Sequence, residues 1–109
     1  MVMNADLMKG STLPLVLKLL SEREMYGYEM IKVINDRTNG ALEWKEGTLY
    51  PCLHQLEADG LIRSDWREAP GERRRKYYSI TRKGRTQLSS RTNEWNQFST
   101  AINAVLMGA

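Results

Sequence analysis

The sequence predicts an α+β fold, mainly α, with a domain over residues 1–80 followed by one long helix over residues 81–109. Three observations lead there. Apolar residues recur at three- and four-residue spacing in three separate stretches before residue 60. Two alternating stretches, Leu61–Glu68 and Arg73–Ile80, flank the turn Ala69-Pro70-Gly71-Glu72. From Thr81 the helical pattern then runs on to about Met107.

Taken in order, Asn4–Lys9 reads as a short turn of helix that Gly10-Ser11-Thr12 breaks. Leu13–Arg23 is the first full helix: Leu13, Val16, Leu17 and Leu20 form an i, i+3, i+4, i+7 stripe, and Pro14 sits in its first turn. Met25-Tyr26-Gly27 is a break. Tyr28–Arg37 follows as a second helix, with Met30, Ile31, Val33 and Ile34 inward, and Thr38-Asn39-Gly40 ends it. Ala41–Lys45 is a short extended piece in which Leu42 and Trp44 alternate with charged residues.

The stretch from Gly47 to Leu61 is the centre of the chain. Leu49, Leu53 and Leu56, with Cys52 beside them, give an apolar side. Tyr50, Pro51, His54, Gln55 and Ala58 give an uncharged polar side, with Glu57 and Asp59 directed to the flank and the far end. Thr48 is the expected N-cap, which puts Pro51 in the first turn, and Gly60 is the stop. A helix buried on one side and uncharged-polar on the other suits a DNA major groove, whose base edges present donors and acceptors.

Bulk properties narrow the function. At 109 residues and 41% hydrophobic content the chain is one domain with a modest core. No apolar run reaches the roughly 20 residues that span a bilayer. Met1–Gly10 lacks the pattern of a secretory signal. One cysteine, Cys52, leaves no internal disulfide and no cysteine-rich metal site, so the expected location is the cytoplasm. Net charge is only +3, but residues 61–86 hold +6 and the remainder −3. A basic patch beside a candidate reading helix is the footprint of a nucleic-acid binder, although a solvated surface looks the same.

Helix, helix, short strand, helix, basic hairpin, long helix is the order of a winged helix-turn-helix domain, the hairpin being the wing. The runs Tyr26-Gly27-Tyr28-Glu29-Met30, Glu46-Gly47-Thr48-Leu49-Tyr50-Pro51, Gly60-Leu61-Ile62 and Lys76-Tyr77-Tyr78-Ser79-Ile80-Thr81-Arg82-Lys83-Gly84 resemble the PadR family of bacterial transcriptional regulators over about residues 10–106. The single C-terminal helix is similar to the small subgroup. The resemblance implies a winged helix, a homodimer made by the C-terminal helix, and repression relieved by a small molecule. It also implies DNA contact for Thr48–Pro51.

The DNA-contact set is therefore Thr48, Tyr50, Pro51, His54 and Gln55 on the helix and Arg73, Arg74, Arg75 and Lys76 on the wing, with Tyr26 at the opening of the second helix facing a phosphate. Strand alternation favours Arg73 and Arg75 within the wing. Tyr50 has a second reading, packing on the neighbouring helix, and Tyr26 a second, packing under the wing. Trp44 and Trp66 read as core, and Cys52 as a small buried residue.

The last helix, roughly 40 Å long, outruns so small a domain. Leu88, Trp95 and Ile102 fall in one heptad column and Phe98 and Val105 in the other, with Arg91 at a polar place in the seam, so a second copy is the expected partner. Trp95 fills that seam, or lines an interfacial pocket for a flat aromatic effector with Arg91; small members of the resembled family bind planar drugs between their C-terminal helices. The leading function is a sequence-specific, homodimeric repressor on a palindromic operator. The alternative is a winged-helix protein-interaction or dimerisation module without sequence-specific DNA binding. No catalytic constellation, metal site or cofactor motif is present in the sequence, which argues against an enzyme.

Overall fold

A computed structural model of the protein describes residues 10–68 and 70–108. The helical turn expected at Asn4–Lys9 lies outside them. In chain order the elements are α1 (Thr12–Glu22), β1 (Met25–Tyr26), α2 (Gly27–Arg37), α3 (Glu46–Ala58), β2 (Ile62–Arg67), β3 (Arg75–Ile80) and α4 (Arg82–Leu106). The fold is the expected mainly helical α+β winged helix.

One core joins them. Val16, Leu17 and Leu20 of α1, Met30 and Ile34 of α2, and Leu49, Leu53 and Leu56 of α3 meet Ile62, Tyr78 and Ile80 of the sheet. The three α3 leucines are fully buried, each contributing about 1.5–3 kcal/mol. Trp44, between α2 and α3, is also buried, as expected.

The sheet has the order β1-β3-β2, antiparallel throughout. β1 corrects the sequence reading of Met25–Tyr26 as a break: Met25 pairs with Tyr78 and Tyr26 with Tyr77. Two residues are too few for alternation to register. Ala41–Lys45, in turn, takes no place in the sheet. Thr38 donates to the Ile34 carbonyl at 2.7 Å and accepts from the Leu42 amide at 3.0 Å, folding the chain back over the end of α2. Asn39 and Gly40, at φ 51° and 80°, make that turn left-handed.

α3 begins two residues before the expected cap. The Lys45 carbonyl receives the Thr48 and Leu49 amides, so the helix starts directly after the buried Trp44, and Thr48 lies inside it rather than capping it. Pro51 is consequently in the helix interior, where it leaves the Gly47 carbonyl without its usual donor. The end of α3 is as expected. Gly60, at φ 75°, donates to the Glu57 carbonyl and Leu61 to Leu56, the two bonds of a Schellman motif.

Thr81 caps α4 by accepting from the Gly84 amide at 3.0 Å. Gly84 is buried, and a Cβ there would lie 2.1 Å from the Leu61 carbonyl oxygen. The first turns of α4 thus pack against the domain, with Leu88 half-buried on the core. The later turns project, and the molecule is 57 Å along its longest axis.

Candidate nucleic-acid interface

The buried leucines of α3 hold its opposite side outward. Thr48, Pro51, His54, Gln55 and Ala58 are all exposed. Tyr50 is half-buried: its ring packs against the core beside α2, as the second of its readings expects, and it also borders the cleft between α3 and the wing. A Cβ at Gly27 would stand 2.7 Å from the Tyr50 hydroxyl, so only glycine lets the two helices approach this closely. The polar side is expected to be free of carboxylate, and it is not. Gln55 Nε2 donates to both Asp59 oxygens, at 3.0 and 3.1 Å, because i and i+4 share one helix face.

The wing is tied to α3 through Glu57. Ser64 Oγ of β2 donates to one Glu57 oxygen at 2.6 Å, and Lys76 Nζ of β3 lies 4.0 Å from the other. Both strands are therefore braced against the last turn of α3. Between them opens a cleft of about 650 Å³. Glu46, Tyr50 and His54 border it from α3, and Tyr26, Gly27 and Tyr28 from β1 and α2. Trp66, Arg73, Arg74, Arg75, Lys76 and Tyr78 border it from the wing.

Cations and rings interleave here. The Arg75 guanidinium lies 4.5 Å from the Tyr26 ring centre, and Tyr26 meets Tyr77 edge to face at 5.4 Å. Arg74 lies 4.9 Å over Trp66. Among the described residues, Arg73, Arg74 and Arg75 form no ion pair, whereas Arg67 pairs with Glu24 and Asp65. Three uncompensated charges on one rim make a strongly positive edge. Strand alternation does not divide the four wing cations, because Arg73 and Arg74 precede β3 and all four border the cleft.

Burial, and secondarily the Glu46 charge, pushes the Tyr50 phenol above its ordinary pKa. Burial and then Glu57 do the same to Tyr78. Burial also pushes the half-buried Cys52 thiol up, which disfavours the reactive thiolate.

Two cleft residues escape the sequence reading. Tyr28, at the entry of the second helix, is 65% exposed. Trp66, expected in the core, is 55% exposed. Its strand face is the expected one; the cover over that face ends before it. A helical wheel extended to the first position of α2 would have flagged Tyr28.

The projecting part of α4 carries the other expected set. Trp95, Phe98, Ile102 and Val105 are exposed, and Arg91 is half-buried. Trp95 and Phe98 rings lie 6.1 Å apart. A hollow of about 260 Å³ is bordered by Gly10, Pro14, Arg91, Glu94, Trp95 and Phe98. Among the described residues no group of three His, Cys, Asp or Glu side chains is placed to hold a metal, and no helix is long and apolar enough to cross a membrane.

Residues 16–90 match the Transcriptional regulator PadR-like family. An uncharacterised protein of Lysinibacillus sphaericus is 32% identical over 107 residues, 98% of each chain. The structure of a transcriptional regulator from Clostridium thermocellum superimposes with a TM-score of 0.86 at 36% identity, over 94% of this chain and 96% of that one. A PadR family transcriptional regulator from Eggerthella lenta does so at 0.82 and 32%, over 93% and 86%.

Proposed function

The chain belongs to the PadR-like family of non-enzymatic, DNA-binding transcriptional regulators, and from that premise we propose that it is a homodimeric cytoplasmic repressor of a palindromic operator. One observation carries the reading: Tyr50 and His54 of α3 and three wing arginines without an ion pair among the described residues border a single cleft. α3 enters the major groove, where Thr48, Tyr50, Pro51, His54 and Gln55 meet base edges and the adjoining backbone. Arg73, Arg74, Arg75 and Lys76 meet the backbone or the minor groove beside it, and Tyr26 at the start of α2 meets a phosphate.

Two copies join along α4 through Trp95, Phe98, Ile102 and Val105, with Arg91 in the seam and Leu88 at its base. The exposure of that stripe supports this, since an apolar 3.5-residue seam on a projecting helix asks for a partner helix. Two-fold symmetry then sets half-sites about one DNA turn apart. A small aromatic effector stacks on Trp95 near Arg91 and relieves repression by changing the angle between the winged domains. The hollow beside Trp95 supports that choice.

The test is a titration of the purified protein on DNA from upstream of its own gene, against a scrambled duplex, at several salt concentrations. The expected result is tighter binding to one upstream segment, with log K falling linearly as log salt rises. Equal affinity for both duplexes, or binding that ignores salt, refutes it and favours a protein-docking winged helix.

A further inference from the structure

We propose that Trp66 and Arg74 form one unit that reads the minor groove flanking each half-site and selects A·T-rich flanks, a reading that rests on the DNA-binding function above. The register of the wing shows why Trp66 stands where it does. On one face of the hairpin Ile62 lies opposite Ile80, Ser64 opposite Tyr78, and Trp66 opposite Lys76. The first two rungs lie under the helices, with Ile62 and Tyr78 buried. Glu57 grips Ser64 at the second rung. At the third rung Trp66 is 55% exposed and borders the cleft with Tyr50 and His54 of α3, so the same face delivers a large indole to its rim.

Arg74 supplies the second half of the unit. Its guanidinium sits 4.9 Å from the Trp66 ring centre and, among the described residues, has no carboxylate partner. A guanidinium held by a ring face keeps its in-plane N–H donors free, and its motion is limited before any ligand arrives. The neighbouring cations are placed differently. Arg75 is over Tyr26, deeper in the cleft wall, and Lys76 is turned to Glu57.

An apolar plate with a guanidinium lying over it at the rim of the cleft fits a minor groove better than a bare phosphate. The groove walls are sugar rings, and its floor presents only acceptors wherever the pairs are A·T. A-tracts narrow it and deepen its negative potential, which favours an inserted Arg. With α3 in the major groove, the wing beside it reaches the adjacent groove.

The experiment uses the upstream duplex of the gene rebuilt with either A·T or G·C flanks, leaving the central half-sites unchanged. Affinities are measured by anisotropy of end-labelled DNA for the wild-type protein, Trp66→Ala and Arg74→Lys. Arg74→Lys keeps the charge and removes the planar stacked edge, and it protects the test if Trp66→Ala folds poorly. The wild type is expected to prefer A·T flanks by about tenfold, the lower range of one good base-pair discrimination. Either substitution is expected to reduce that ratio to within about twofold, whatever the overall loss of affinity. In parallel, acrylamide quenching compared between wild type and Trp66→Phe isolates the Trp66 emission, which bound DNA should shield. Tight, salt-dependent binding with equal affinity for both flanks overturns the proposal and leaves the DNA-binding function standing; it would mean phosphate contact only. Flank preference that survives both substitutions also overturns it. Failure to bind either duplex overturns both readings together.

Discussion

Trp66 and Trp95 are exposed to similar degrees, 55% and 61%, but their surroundings differ in kind. Trp66 stands among Arg73, Arg74 and Lys76 at the rim of a cleft. Trp95 stands among Phe98, Ile102 and Val105 on a projecting helix. An exposed aromatic therefore says little until its neighbours are counted. Next to cations it suits the proposed polyanion, and next to apolar residues at helical spacing it suits the proposed partner helix. The two regions also differ in their ties to the rest of the domain. The wing is braced to α3 by Glu57, whereas the end of α4 has no intrachain brace among the described residues.

The largest effect is expected where the second region is attacked. Phe98→Asp places a charge in the α4 seam. It should turn a dimer into a monomer in sedimentation at micromolar concentration. Operator affinity should fall by roughly 100-fold or more, because the second half-site is no longer tethered. A dimer that survives this change breaks the comparison at its root.

Replacing Arg73, Arg74 and Arg75 by Ala attacks the first region. Binding should weaken on every sequence, and the salt slope should shrink by up to about 0.9 for each phosphate left without its cation. The dimer should be untouched. An unchanged slope would remove the wing from the interface.

A smaller effect tests how the reading helix is seated. Gly27→Ala drives a methyl into the Tyr50 hydroxyl, and about 1–3 kcal/mol of stability should be lost in thermal unfolding. Adding Tyr50→Phe removes the nearest atom and should return part of that loss. Independent, additive losses would show that the two groups do not meet.

The smallest effect is one of pH. Tyr50 and Tyr78 have folded pKa values raised by burial. Their contribution to stability is complete below the ordinary tyrosine value of about 10 and is lost as pH rises through the raised values. Denaturant midpoints should be insensitive to these groups at neutral pH and fall above about pH 10. A midpoint still constant well above that range would contradict the burial of both phenols.

Much of this was legible in the residues. The helical stripes, the Gly60 stop, the Thr81 cap and the hairpin follow local rules, each set by residues close together in the sequence. What the sequence missed depends on tertiary cover. β1 exists only because β3 comes to lie beside Met25 and Tyr26. α3 starts early because Trp44 is pulled into a core assembled from distant segments. Trp66 keeps the alternation of a core residue but borders the open cleft between the wing and α3. The cleft itself, the meeting of α3 with the wing, is a property of packing and no single stretch encodes it.

The central claim is that two chains act together on one duplex. Sedimentation of the saturated complex with the upstream DNA measures that directly. The account predicts a mass of two chains per duplex for the wild type, and for Phe98→Asp no complex at the concentration that saturates the wild type. One chain per duplex at full affinity, in either protein, would contradict it.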